Sequence, residues 1–376
     1  MNPTTDQYIS APTDDVFISA PTDLMGECNG EGVLLKWHDN SDNESSFIVE
    51  RKLSAEGDSS YANIATNLPK DTVSFSDRSI LVLGEQYSYR VRACSNTSES
   101  NFSNEATIPF SIIIDHRAVG GFENLTEEQI AKAKLVLLSI SGESHGRGYG
   151  YGLDLVEQED NRFASDVTWS GAPPTDEENA NNELRYSYTY HDGNTWVTSL
   201  GEDDFYTNQA ARDRIHSGMT EIESGSHYSG SILMGMGWCY DMTWHNPPTD
   251  QKDSIYGCGW AGSSVGGPEG DLSWGINNED ATITGNSVNL YTYLDMVDSC
   301  NEMGVGIKVI FTTGPVDAEW TYDNENGYQR WIKHEVIRRY VRNNGGILFD
   351  YADILSYDYA NDKRVMEQWM DYKGVN

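Results

Sequence analysis

The chain has 376 residues, 38% of them hydrophobic and 11% aromatic, which is enough apolar material for packed cores and too much for a disordered polymer. Its 59 Asp and Glu against 25 Lys and Arg leave a formal net charge of −34, a surface that repels phosphate backbones and anionic lipid, so nucleic acid is not an expected partner. No apolar run approaches the roughly 20 residues that span a bilayer, so no membrane span is expected, and the length fits two domains.

Residues 1–22 form an N-terminal extension with a short repeat. Tyr8-Ile9-Ser10-Ala11-Pro12-Thr13-Asp14 recurs as Phe17-Ile18-Ser19-Ala20-Pro21-Thr22-Asp23. Each copy is an extended aromatic-Ile-Ser segment closed by a proline that cannot continue a ladder. The first copy is read as a linker or, more sharply, as a strand that joins a sheet edge and supports self-assembly through residues 1–16.

Residues 23–110 alternate in the manner of short strands. Val33-Leu34-Leu35-Lys36-Trp37 and Phe47-Ile48-Val49-Glu50-Arg51 flank the polar turn 38–46, and Tyr87-Ser88-Tyr89-Arg90-Val91-Arg92-Ala93 puts Tyr87, Tyr89 and Val91 on one face. With no helical pattern between them, these runs predict an all-β sandwich. The same residues, with His38-Asp39-Asn40-Ser41-Asp42-Asn43-Glu44 between them, resemble a bacterial fibronectin type III domain. That resemblance makes Trp37 and Tyr89 core residues and the module a spacer or adhesive unit without chemistry. Asp39, Asp42 and Glu44 are read as solvated turn carboxylates, with cation binding as the alternative. Such modules in tandem with a second domain are common in exported bacterial proteins, so an extracellular or cell-surface location is expected, with a leader already removed. Five cysteines leave at least one unpaired; Cys28 with Cys94 and Cys239 with Cys258 are the disulfide candidates, against the alternative of small buried hydrophobes.

From 111 to 376 helix and strand patterns alternate. Thr126-Glu127-Glu128-Gln129 is a capping box, 134–140 a strand, 231–238 another; 288–303 is helical, 307–311 a strand, 328–341 a helix and 347–350 a strand. Apolar strands between amphipathic helices predict a three-layer α/β domain with a mainly parallel sheet, and 152–201 and 243–285 are expected to be long loops. At the end of the first of these strands the chain reads Ser141-Gly142-Glu143-Ser144-His145-Gly146-Arg147-Gly148, read as a glycine-rich turn that presents a hydroxyl at the carboxyl edge of the sheet.

Gly142-Glu143-Ser144 resembles the Gly-Asp-Ser block of the SGNH (GDSL-like) hydrolases, flavodoxin-like esterases and deacetylases. The resemblance implies Ser144 as nucleophile, Gly171 as a backbone oxyanion donor and Asn246 as a second donor if its loop folds back. The family's closing Asp-x-x-His is not found: Asp350-Tyr351-Ala352-Asp353 is followed by no histidine, as if the C-terminal block were lacking. A base must come from elsewhere, first from His245, then from His145; His334 is expected to be packed or exposed on its helix. Trp238, Tyr240, Trp244 and Trp260 are assigned as stacking platforms for sugar rings, with loop core as their other reading. The functional expectation is an exported carbohydrate esterase or deacetylase acting on an acylated glycan without a cofactor. The alternative is a non-catalytic surface or filament subunit. No metal ligand set is specified by spacing.

Overall fold

The computed structural model divides into two compact units, Met1–Phe110 and Ser111–Asn376. It describes residues 17–29, 32–79, 81–82, 85–142, 144–175, 182–198, 209–224, 231–238, 275–280, 289–303, 307–315, 324–358 and 363–364.

The alternating runs of the first unit form β1 (Thr22–Asn29), β2 (Gly32–His38), β3 (Ser46–Leu53), β4 (Ala62–Pro69), β5 (Ser74–Asp77), β6 (Gln86–Cys94) and β7 (Ala106–Pro109). All pair antiparallel, in sheets β1-β2-β5 and β4-β3-β6-β7. Every second residue points inward, so Val33, Leu35, Trp37, Phe47, Val49, Tyr87, Tyr89 and Val91 close one core between the sheets. This is a fibronectin type III-like sandwich, with Trp37 and Tyr89 inside it as the resemblance implied. The Tyr87 hydroxyl accepts the Val82 N–H at 3.0 Å and fixes the turn before β6.

The second repeat copy belongs to this unit. Ile18 is 4% exposed within the core. Side chains of the β2–β3 turn hold its backbone: Asn43 donates to the Phe17 carbonyl at 3.1 Å, Ser41 to Ser19 at 3.3 Å and Asn40 to Ala20 at 2.8 Å. The first copy lies outside the described residues.

The Cys28–Cys94 disulfide does not form; both residues are buried thiols. Cys28 donates to the Pro109 carbonyl at 3.3 Å, and Pro109 pairs with Gln86. Cys94 lies eight residues further along β6, about 26 Å at strand rise, whereas a disulfide needs Cα atoms within about 7 Å.

The second unit carries β8 (Ser111–Ile114), α1 (His116–Val119), α2 (Glu127–Ala133), β9 (Val136–Ser141), α3 (Ser144–Glu159), β10 (Ser165–Thr168), β11 (Leu184–Ser187), β12 (Thr189–His191), β13 (Trp196–Thr198), α4 (Gln209–Glu223), β14 (Ser231–Met236), α5 (Leu290–Met303), β15 (Ile307–Val309), β16 (Phe311–Thr312), α6 (Asn324–Asn344), β17 (Gly346–Phe349) and α7 (Tyr351–Ser356). Thr126 caps α2 through the expected capping box. Strands β10-β11-β9-β14-β15 pair parallel, as do β16-β17-β8. Only Ile310 separates β15 from β16, and its N–H donates to Met234 O at 2.7 Å, so the parallel ladder continues through it.

Period-two alternation sorts the two faces of this sheet. Leu137, Ile232, Met234, Met236 and Leu348 pack with Ile215 and Met219 of α4, Leu294 and Val297 of α5, and Ile337 of α6. Leu138, Ile140, Leu233, Ile347 and Phe349 pack instead with Tyr149 and Leu153 of α3. Helices therefore cover both faces of a parallel sheet, with the sheet buried between them.

Two expectations fail here. The glycine-rich turn after Ser144 is a helix of 16 residues. The stretch 152–201, expected to be loop, contains the end of α3 and strands β10 to β13.

Candidate active site

In a parallel sheet the strand ends and helix starts meet at the carboxyl edge, where backbone N–H groups remain available to a ligand. At this edge β9 ends at Ser141, Gly142 reverses the chain with φ 127°, and α3 begins at Ser144. A Cβ on Gly142 would lie 2.3 Å from Gly237 O, and one on Gly237 would lie 2.7 Å from Gly146 N. The tips of β9 and β14 and the first turn of α3 thus meet at backbone distance. The side chain of Tyr186 locks this junction from below: it is fully buried, and its hydroxyl lies 2.8 Å from Ile140 O and also against Gly146 O. Burial pushes that phenol well above its ordinary pKa, so it stays a neutral donor.

Ser144 is thus the first residue of a helix directly after a strand; its side chain is outside the described residues, as are His245, Asn246, Tyr240, Trp244, Trp260, Cys239 and Cys258. His145 is half-buried and one residue further, about 100° around the helix from Ser144. Gly171 is exposed at φ 79°, and its carbonyl accepts Thr189 Oγ1 at 2.9 Å. The Thr189 carbonyl in turn accepts Ser139 Oγ at 2.8 Å, so the Gly171 turn is tied to β9.

Trp238 is not a platform. It is 2% exposed and packs edge-on against Tyr293, with centroids 5.2 Å apart. The cause is strand periodicity: Ile232, Met234 and Met236 face the same core, and Trp238 continues the series two residues on. That spacing was visible in the sequence. His334 is packed, 3% exposed, with Nε2 accepting the Gly314 N–H at 3.1 Å.

Beyond β14 the edge carries two groups that sequence reasoning did not assemble. Asp350, after β17, is 3% exposed and receives Arg338 Nε at 2.6 Å, Arg338 Nη2 at 2.8 Å and Thr313 Oγ1 at 2.8 Å. Burial works against the Arg338 charge, yet Asp350 and then Glu335 hold its pKa above the ordinary value. Next to it, His116 Nδ1 meets Asp353 Oδ2 at 2.5 Å while its ring stacks on Tyr357 at 3.8 Å. With Asp115 these two residues place ligand atoms within 4.8 Å of one another, so they form a candidate metal set. However, Asp115 already receives Arg117 Nε at 3.2 and 3.0 Å on its two oxygens. Four strand spacings of about 4.8 Å separate β8 from β9, so the sheet sets His116 roughly 19 Å along the edge from Ser144. The signal for this pair was Asp350-x-x-Asp353 after the last strand; nothing in the sequence linked it to His116.

No family model and no curated protein matches the sequence significantly. Solved structures do match part of it. A Fn3-like protein from Clostridium thermocellum is 29% identical over 24% of this chain and 90% of its own, with a TM-score of 0.20. A multidomain segment of titin is 16% identical over 24% of this chain and 30% of its own, with a TM-score of 0.21. A pectate lyase from Erwinia chrysanthemi is 24% identical over 24% of this chain and 28% of its own, also with a TM-score of 0.21. Among the described residues no helix is long and apolar enough to cross a membrane.

Proposed function

We propose that the α/β unit is a serine hydrolase of the SGNH type, acting on acyl esters of a polysaccharide outside the cell. The observation that carries this reading is the position of Ser144: it opens a helix directly after β9, at the carboxyl edge of a parallel sheet. Helix-start N–H groups there face the place where an oxyanion develops. The strand order supports it as well. Leaving out the outermost β10 and β8, the sheet runs β11-β9-β14-β15/β16-β17, which in order of appearance is 2-1-3-4-5, the flavodoxin-like order.

In this mechanism Ser144 Oγ attacks the acyl carbon and His245 takes the hydroxyl proton. The N–H groups at the start of α3, with Gly171 and Asn246, hold the tetrahedral oxyanion. The alkoxide leaves with that proton, and water then hydrolyses the acyl-enzyme by the same steps. Tyr240, Trp244 and Trp260 stack against sugar rings. The fibronectin type III-like unit serves as a spacer or adhesive module.

A second reading is a non-catalytic extracellular subunit that assembles through residues 1–16. It is favoured by Asp350 and Asp353, which stand where a hydrolase of this type carries its acid and base yet are engaged by Arg338 and His116. Acetyl-ester turnover by the full chain separates the two. The hydrolase reading expects turnover that falls about 10²–10⁴-fold in His245→Ala and at least as far in Ser144→Ala. Absent turnover, with concentration-dependent assembly lost on removing residues 1–16, selects the subunit.

A further inference from the structure

The β2–β3 turn of the sandwich has two sides. One, carrying Asn40, Ser41 and Asn43, clamps the backbone of residues 17–20 as described above. The other carries Asp39 and Glu44 and faces the β4–β5 turn, where Asp71 sits with φ 61°. Asp39, Glu44 and Asp71 bring carboxylate oxygens within 4.8 Å of one another.

Clustered surface acids alone mean little; Glu44 differs from them. It is 3% exposed, and its Oε2 is buried with no hydrogen-bond partner among the described residues. Its Oε1 accepts, among the described residues, the Asp71 N–H at 3.3 Å. A carboxylate sealed from water with an idle oxygen is strongly disfavoured unless a positive charge or a proton meets it. The nearby ammonium does not: Lys70 Nζ donates to the Asp42 carbonyl at 2.7 Å. Asp39 Oδ1 accepts the Ser41 N–H at 3.0 Å, which sets that carboxylate in its turn.

We propose that Asp39, Glu44 and Asp71 bind a calcium ion that ties the β2–β3 turn to the β4–β5 turn. Three oxygen donors without nitrogen or sulfur select a hard cation. Donors from two turns, one of them on the exposed Asp71, give an adaptable cage that suits the six to eight ligands of calcium better than the rigid octahedron of magnesium. Water and turn carbonyls complete the shell. The affinity belongs with those of extracellular modules, a Kd of about 10⁻⁴–10⁻³ M. The site is independent of the hydrolase reading, because none of its residues lies in the α/β unit.

The test is equilibrium dialysis of radiolabelled calcium on the full chain, in potassium chloride at about 0.15 M to screen diffuse attraction by the acidic surface. The wild type should bind one equivalent more than Glu44→Gln, and Asp71→Asn should weaken that equivalent at least about tenfold. Asp71 is exposed, so its variant remains informative if Glu44→Gln fails to fold. Calcium should also raise the thermal midpoint of the wild type by more than it raises that of either variant. Identical calcium binding and identical midpoint shifts in all three chains would overturn the proposal. So would magnesium that displaces calcium at equal concentration.

Discussion

Asp77, at the end of β5, shows how one carboxylate couples the two sheets of the sandwich. It is 2% exposed, receives Arg51 Nη1 from β3 at 2.6 Å and the Tyr89 hydroxyl from β6 at 3.1 Å, and accepts the Ser79 N–H at 3.0 Å. Burial opposes its charge, but the Ser79 and Arg51 donors outweigh burial and hold the carboxyl below its ordinary value. The folded pKa therefore lies under that of the unfolded chain, about 3.9. The carboxylate's stabilisation is complete above that value and is lost as pH falls through the depressed folded pKa. Asp77→Asn should cost about 2 kcal/mol at neutral pH, because Arg51 and Tyr89 lose a charged acceptor. The gap between wild type and variant should then close only as pH falls below about 3.9 and through the depressed folded pKa. Urea midpoints at a series of pH values measure this; a gap that stays constant with pH contradicts it.

At the scale of elements, α3 is where the sequence was hardest to read. Gly146, Gly148, Gly150 and Gly152 fall within one helix, against their low helical propensity. The structure divides them by face. A Cβ on Gly146 would lie 3.0 Å from the Tyr188 ring, and one on Gly150 would lie 2.7 Å from the tip of Trp169 and 3.0 Å from Val167. Gly148 and Gly152 meet nothing within 4 Å. The first pair, four residues apart, lets the helix lie close on the aromatic surface of β10 and β11; the second pair has no such role. Gly148→Ala should thus stabilise by about 0.5–1 kcal/mol, the helical gain of alanine over glycine. Gly150→Ala should destabilise by about 1–3 kcal/mol, the usual cost of overpacking. Thermal and urea unfolding of the two single variants decide it, and equal shifts in one direction would refute the facial division. The long apolar elements were legible because hydrophobic period alone sets them: α5, β14, β15 and β17 fall where 288–303, 231–238, 307–311 and 347–350 were expected. Strands β10 and β11 were not, since four residues of mixed polarity, such as Ser165–Thr168, gain their identity only from neighbours in the sheet. Around Ser144 only the strand before Gly142 was legible, since its apolar run is local; the helix that Ser144 opens was hidden by its glycines, and the meeting of His116 with Asp353 is a contact between segments 237 residues apart.

Across the whole molecule, charge repulsion is the force that acts on every part at once. A formal net charge of −34 makes the folded chain repel itself, because folding brings acidic residues closer than they are in the expanded state. Local pairs such as Arg90–Glu50 at 2.6 Å relieve it only where they stand, since 25 cationic side chains face 59 acidic ones. The remaining repulsion acts over distances that salt controls. The Debye length is about 30 Å at 0.01 M and about 8 Å at 0.15 M, so at low ionic strength acids across an entire unit feel one another, and at physiological strength only neighbours do. Thermal midpoints at pH 7 should therefore rise with sodium chloride from about 0.01 to 0.15 M and then level off as further screening shortens an already short range. Near pH 4.3, the isoelectric point of the sequence, the net repulsion vanishes and the same salt series should be nearly flat. Scanning calorimetry of the full chain at the two pH values provides the comparison. A midpoint that falls with salt at pH 7 would mean that specific ion pairs, rather than diffuse repulsion, dominate the electrostatic free energy. Equal slopes at the two pH values would assign the salt effect to strengthened apolar burial instead.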